Sequence, residues 1–162
     1  METLDRTLQE IFDLPYFHGR LTDEEAYNLC QEELASTGKS MVYIWHLSEI
    51  DGELHGIIKG YHRGSKEIYN GVAFPYPSDI PLFMPFDANL RIENFVERRN
   101  PHQLQELARV AILDSLDYCC LKNLIQRIDE LQLLPREKEE LKKIVRGFKV
   151  VLASKIPNPN EL

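Results

Sequence analysis

This chain carries the stretch Leu104-Gln105-Glu106-Leu107-Ala108-Arg109-Val110-Ala111-Ile112, followed by Ile128-Asp129-Glu130-Leu131 and by Leu134-Pro135-Arg136-Glu137. The first stretch has an apolar side chain at every third or fourth position, which is the spacing of one helix face. The leucine–proline pair starts another helix, because proline suits the first helical turn. The pattern predicts a small docking module whose chemistry is recognition and not bond breaking.

The apolar pattern after residue 101 is helical throughout. Three stripes at helical spacing predict three helices. They are Leu104, Leu107, Ala108, Ala111, Ile112 and Leu116, then Leu121, Leu124, Ile125 and Ile128, then Leu141, Ile144, Val145 and Phe148. A helical segment this short has little bulk to cover every apolar face, so part of its surface is expected to seek a partner. The competing interpretation is that all three stripes serve the chain's own core.

The front of the chain contains further helix signals. Residues 3–13 place apolar side chains at helical spacing and predict a short amphipathic helix. Thr22 and Glu25 form a capping box, in which each side chain bonds the other's main-chain amide, and this box starts a second helix. Apolar residues at 92–96 indicate one more helix, which ends before Pro101 because the residue preceding proline avoids helical geometry.

Strand signals lie between these helices. Residues 41–47 and 54–59 are rich in β-branched and aromatic side chains, and Asp51-Gly52 supplies the turn of a hairpin. Residues 66–74 predict a further strand. The proline-rich segment 75–81 cannot donate regular ladder hydrogen bonds and is expected to be a loop.

These elements predict an α+β fold, in which a small antiparallel sheet is flanked by two helices and followed by a three-helix C-terminal box. The expected organisation is an amphipathic helix at 1–14, a sheet domain at 15–100, a helical module at 101–150 and a tail at 151–162.

Composition limits the classes of partner. The chain has 162 residues, 43% of them hydrophobic, which is enough for a folded core. Its net charge of −7 repels nucleic acid and anionic lipid, and no window reaches the roughly 18 apolar residues of a membrane span. We therefore expect an intracellular protein, in the cytoplasm or the nucleus, with neither nucleic acid nor membrane as a partner.

Reactive residues show no spaced motif. Gly38-Lys39-Ser40 resembles the end of a phosphate loop, but that motif would need glycine at Glu33. The five histidines lack metal-ligand spacing, and the three cysteines form neither a disulfide framework nor a zinc quartet. We expect no metal, no cofactor and no catalytic residue. An enzyme that uses Cys30 or a histidine stays an alternative without a supporting motif.

The segment 101–146, with the stretch Leu104 to Ile112 and the Leu134-Pro135 pair, resembles a suppressor-of-cytokine-signalling (SOCS) box. The resemblance implies that the first helix inserts a leucine into a groove of Elongin C, which is bound to Elongin B. It also implies that the leucine–proline segment contacts a cullin, usually the fifth. The adaptor residues would be Leu104 as anchor, Leu107, Ala108 where the family has cysteine, and Ile112; the cullin residues would be Leu134 and Pro135.

The front segment is similar to a Src-homology-2 domain. Tyr16-Phe17-His18-Gly19-Arg20-Leu21-Thr22 before an acidic helix matches that family's opening, and a short leading helix, this domain and a SOCS box follow one another in the SOCS proteins. The phosphotyrosine-binding arginine of the family's central strand is absent from Val42-Tyr43-Ile44-Trp45-His46. Without that planar fork, phosphotyrosine recognition is not expected.

Together these features predict a non-catalytic substrate receptor of a cullin-type ubiquitin ligase that presents an unknown target protein. The residues that could form a substitute target pocket are Trp45, His46, Lys59, His62, Arg63 and Lys66, and a solvated surface is the competing interpretation for them. The alternative function is a peptide-binding or scaffolding module that recruits no ligase.

Overall fold

A four-stranded sheet organises the chain in the computed structural model, which describes residues 7–63, 66–72, 92–149 and 152. Its strands are β1 (Phe17–Arg20), β2 (Met41–Ile50), β3 (Glu53–His62) and β4 (Lys66–Val72), in that spatial order. β2, β3 and β4 pair in antiparallel fashion, as the hairpin signals predicted. With the helices described next, this confirms the α+β class.

The first strand departs from the prediction, because β1 pairs with β2 in parallel. The sheet is therefore mixed and not purely antiparallel. The helix between β1 and β2 returns the chain to the same end of the sheet, which is the connection that a parallel pair requires. With only four residues, β1 is too short to show an alternating pattern in the sequence.

Five α-helices are described: α1 (Leu8–Phe12), α2 (Asp23–Thr37), α3 (Leu104–Ser115), α4 (Leu121–Asp129) and α5 (Pro135–Gly147). The predicted capping box starts α2, with Thr22 and Glu25 bonding each other's amides. The three predicted rear helices are α3, α4 and α5, and Pro135 occupies the first turn of α5. None of the described helices combines the length and apolarity needed to cross a membrane.

The helix expected near residues 92–96 is reduced to one 3₁₀ turn, Ile92–Asn94. Phe95 instead forms a parallel bridge with Tyr43, and the amide of Val96 donates to the Tyr43 carbonyl at 2.8 Å. Pairing with the sheet takes precedence over the local helical spacing. The expected loop at 75–81 lies outside the described residues, as does most of the expected tail.

Two hydrophobic clusters cover the two faces of the sheet. On one face α2 packs through Ala26, Cys30 and Leu34 against Val42 and Ile44. On the other face α1 and the three rear helices form a single cluster with the strands. That cluster includes Phe12, Phe17, Trp45, Val110, Leu113, Leu124, Ile128, Leu141, Ile144 and Phe148. The rear helices therefore share their core with the sheet.

Candidate functional site

The outer face of α3 is exposed and carries no charge. The exposed residues of α3 are Leu104, Gln105, Ala108, Ala111 and Ser115. Leu104 is 84% exposed, the largest value among the exposed large hydrophobic side chains of the described residues. The exposed face of a helix ordinarily carries charged and polar side chains. An uncharged face of small residues beside one projecting leucine is instead suited to close packing against another protein.

The charged residues of α3 lie on its inner side. Glu106 is 8% exposed, and its carboxylate accepts from Arg20 Nε at 2.8 Å and from Arg109 Nη1 at 3.1 Å. Arg20 also binds Glu140 of α5, at 2.6 Å. This network, which we call the Glu106 clamp, joins β1, α3 and α5. It fixes which face of α3 points outward.

A second set of contacts joins α3 to the start of α5. Arg109 donates to both carboxylate oxygens of Glu137, at 3.0 and 3.1 Å, and Gln105 donates to Glu137 at 3.1 Å. The hydrogen bond with Glu137 is the main reason why the pKa of Arg109 is raised, and the same bond lowers the pKa of Glu137. A bidentate pair of this kind restricts the relative position of the two helices.

The last charged residue of α3, Asp114, caps α1. Its two carboxylate oxygens accept from the amides of Leu8 and Gln9, at 3.0 and 2.9 Å. An acidic group is favourable at a helix N-terminus because the first amides lack intrahelical partners. These hydrogen bonds therefore hold α1 against the C-terminal end of α3.

The predicted adaptor residues divide into two pairs. Leu104 and Ala108 are exposed on the outer face. Leu107 and Ile112 are half-buried, and both pack against the hydrophobic core. The latter pair lies along the margins of the outer face and anchors the helix to the chain.

The predicted cullin residues lie at the same end of the helical region. Leu134 is 73% exposed and precedes Pro135, which is also exposed. The hydrogen bond between Gln105 and Glu137 holds the first turn of α3 beside the first turn of α5. The two exposed leucines flank this bond, Leu104 one residue before Gln105 and Leu134 three residues before Glu137. The first turns of α3 and α5, which carry Leu104 and Pro135, are thus joined by this bond.

The predicted target pocket is not one surface. Trp45 is fully buried, with its ring 4.6 Å from that of Phe17 in the core behind the sheet. His46, the next residue along β2, is also fully buried, and its side chain points to the opposite face because strand side chains alternate. Placing both in one pocket was therefore wrong.

The basic members of the predicted pocket are also separated. Lys59 is buried and pairs with Asp23 at the start of α2. His62 and Arg63 are exposed at the end of β3, where Arg63 donates to the carbonyl of Lys39 at 2.9 Å. The side chain of Lys66 lies outside the described residues. His46 and Lys59 remain together on the α2 face of the sheet.

A cleft of about 710 Å³ lies between α2 and the start of α3. Its lining includes Arg20, Arg99 and Arg109, which are already paired with carboxylates. Arg98, also in the lining, donates to the main-chain carbonyls of Phe12, Leu14 and Phe17. These arginines form ion pairs and hydrogen bonds between segments of the chain, so we assign the cleft a structural role.

Cys30 is poorly suited to catalysis. It is fully buried on the inner face of α2, and desolvation raises the pKa of its thiol to about 12. A nucleophilic cysteine reacts as the thiolate, which this environment disfavours. Within the part of the chain that is described, no three histidine, cysteine or acidic residues are grouped for a metal ion.

Comparison with known proteins identified no relative. No family model matches the chain, and no curated protein matches it.

We expect Glu106→Ala to destabilise the fold by about 2–3 kcal/mol, because it leaves Arg20 and Arg109 without a shared partner. Loss of one member of a fully buried pair costs roughly 3–5 kcal/mol, and the partial exposure of Arg20 reduces this. Urea unfolding measures the change. Glu139→Ala, which removes an exposed carboxylate from α5, is the control. Equal, small effects of both variants would contradict the Glu106 clamp.

We also expect stability to fall on acidification, because burial lowers the pKa of His18 to about 4. The unfolded histidine titrates near 6.5, so the unfolded state binds more protons between these values. The stability that depends on neutral His18 is therefore fully present above about pH 6.5. It decreases by up to about 3 kcal/mol as the pH falls to about 4.

His18→Gln tests this pH dependence. The glutamine amide can still donate to the Val96 carbonyl, which His18 Nε2 contacts at 2.7 Å. Urea unfolding between pH 4 and 7 should give a shallower slope for the variant. The slope should not disappear, because burial also lowers the pKa of His46 and His102. An unchanged slope would show that His18 does not titrate as its burial requires.

Proposed function

We propose that this chain is a substrate receptor of a cullin-type ubiquitin ligase. The outer face of α3 binds Elongin C in its complex with Elongin B, and the start of α5 binds the cullin, with the fifth cullin preferred. The sheet with α2 binds the target. The observation that carries the proposal is Leu104, 84% exposed on an uncharged helix face.

The exposure of Leu104 matters because this side chain contributes little to the stability of the chain's own fold. Burying one leucine in a partner's apolar pocket contributes roughly 2 kcal/mol, enough to make it a hot spot. Ala108 and Ala111 beside it allow close approach of the partner's surface. The charges of α3 take no part in docking, since they are engaged within the chain.

The proposed contribution to ubiquitin transfer is proximity. The receptor holds the target near a ubiquitin-charged enzyme and thereby raises the effective concentration of target lysines. A fixed orientation of α3 on the sheet favours this role, because the target site and the ligase site then keep a constant separation. The Glu106 clamp and the shared core support such an orientation.

The alternative is a scaffolding module that recruits no ligase. It is favoured by the inner faces of α3, α4 and α5, which the chain covers with its own core. Under this alternative a second copy of the chain would cover the outer face of α3. Elongin binding and self-association therefore compete as explanations of the same surface.

Leu104→Asp tests the adaptor site. We expect binding to the Elongin B–Elongin C complex to weaken at least 100-fold, since a carboxylate replaces the leucine in an apolar groove. Isothermal titration calorimetry gives the affinity. The control is Ile50→Asp, the same chemical change at a hydrophobic residue 46% exposed on β2. Ile50→Asp should bind as the unmodified chain does.

Two results would overturn the adaptor proposal. One is Elongin binding that survives Leu104→Asp. The other is an unmodified chain that binds no Elongin complex and forms dimers that Leu104→Asp dissociates, which would favour the scaffolding alternative. Because Leu104 is exposed, its substitution should change the unfolding free energy by no more than about 0.5 kcal/mol, so loss of binding cannot be assigned to unfolding.

Leu134→Asp tests the cullin site separately. We expect this variant to keep its affinity for the Elongin complex and to lose binding of the assembled complex to the fifth cullin. The helix start should persist, because Leu134 uses its main-chain carbonyl, and not its side chain, to accept from the Lys138 amide. Analytical ultracentrifugation of the mixture measures assembly. Unimpaired cullin binding would remove Leu134 from the site.

A further inference from the structure

The α2 face of the sheet contains two buried polar side chains close to a helix N-terminus. Lys59 of β3 pairs in register with Ile44 of β2, and His46 lies two residues further along β2. Both side chains therefore point toward α2. Asp23, the first residue of α2, lies 3.1 Å from the Lys59 ammonium, which places the first turn of α2 beside the lysine. The charges of Lys59, Asp23 and Glu25 all influence the pKa of the His46 ring.

Lys59 has a partner of unusual exposure. The lysine side chain is only 10% exposed, and its ammonium lies 3.1 Å from a carboxylate oxygen of Asp23. The Asp23 side chain is 69% exposed. It thus reaches inward from solvent and can turn away without unpacking the core. The buried Lys59 ammonium cannot follow Asp23 into solvent. When Asp23 turns away, the ammonium therefore needs another negative charge beside it.

His46 supplies a second, independent sign of a ligand. Its ring is fully buried, and its Nε2 atom has no hydrogen-bond partner among the described residues. The other nitrogen, Nδ1, is 3.3 Å from the Leu47 carbonyl, a long contact that a change of tautomer can release. With a hydrogen on Nε2, the ring offers a donor on the α2 face of the sheet, the face on which Lys59 also lies. An unpaired buried nitrogen is costly unless a ligand, an ion or an ordered water satisfies it.

The charge balance favours one negative charge in this space. Lys59 contributes one positive charge, while burial first and then the lysine lower the pKa of His46 and keep the ring neutral. Glu25 is held at the rim by the capping box, where its carboxylate accepts from the Thr22 amide. A dianionic phosphate would therefore meet one cation and one like charge. The single negative charge of a carboxylate is balanced by Lys59, as the ion pair of Lys59 with Asp23 already demonstrates.

We propose that Lys59, His46 and the first turn of α2 form a recognition site for one carboxylate group, which Asp23 fills as an internal substitute until a ligand replaces it. The ligand class is an aspartate or glutamate side chain of an unmodified protein. That this protein is the ligase target rests on the proposed function. The carboxylate site itself does not, because it uses no residue of α3 or α5.

The test uses the full chain and acetate as the probe. We expect Asp23→Ala to bind acetate saturably, with at least tenfold higher affinity than the unmodified chain, as followed by NMR shifts of the Lys59 and His46 side chains at constant ionic strength. Inorganic phosphate should bind more weakly than acetate. Glu24→Ala removes the same charge from the same turn but keeps the Asp23–Lys59 pair, so it should behave as the unmodified chain.

Three outcomes would overturn the carboxylate site. They are no saturable acetate binding by Asp23→Ala, phosphate binding tighter than acetate binding, and acetate binding that persists in Asp23→Ala/Lys59→Met. If Asp23→Ala does not fold, Asp23→Ser, which keeps a side chain suited to the first helical turn, takes its place in the same titration. Because Elongin binding is measured with Leu104→Asp, failure here leaves the ligase proposal standing, and the reverse also holds.

Discussion

The burial of Glu106 between Arg20 and Arg109 is the interaction on which the remaining architecture depends. A carboxylate with so little exposure is tolerated only where cations and hydrogen bonds compensate it. Meeting that requirement brings together the end of β1, the first half of α3 and one side of α5, since Arg20 also pairs with Glu140. The rotation of α3 about its own axis is thereby fixed.

This rotation determines which side chains α3 exposes. Charged residues of a surface helix usually point to solvent, whereas here they point inward or sideways and the small apolar residues point outward. The chain tolerates this arrangement because the other charged residues of α3 also have partners within the chain. Arg109 pairs with Glu137 of α5, and Asp114 accepts from the Leu8 amide of α1. Leu104 is left exposed where the proposed adaptor would bind, and the proposed carboxylate site lies on the opposite, α2 face of the sheet.

Signals that are local in sequence predicted the structure well. The capping box of α2, the β2–β3 hairpin and the three rear helices each depend on residues a few positions apart. The Glu106 clamp was missed because Arg20 and Glu106 are 86 positions apart. One hint was present, namely the charged residues Glu106 and Arg109 at helical spacing within an apolar stretch. Strand alternation alone could have separated Trp45 from His46.

The most direct measurement is methyl cross-saturation NMR on the proposed complex with Elongin B and Elongin C, which identifies the methyl groups that contact the partner. The account predicts strong saturation of Leu104, Ala108 and Ala111, with weak transfer to the buried Val110 and Leu113 of the same helix. A complex that forms while Leu104 stays unsaturated, or saturation confined to another surface, would contradict it.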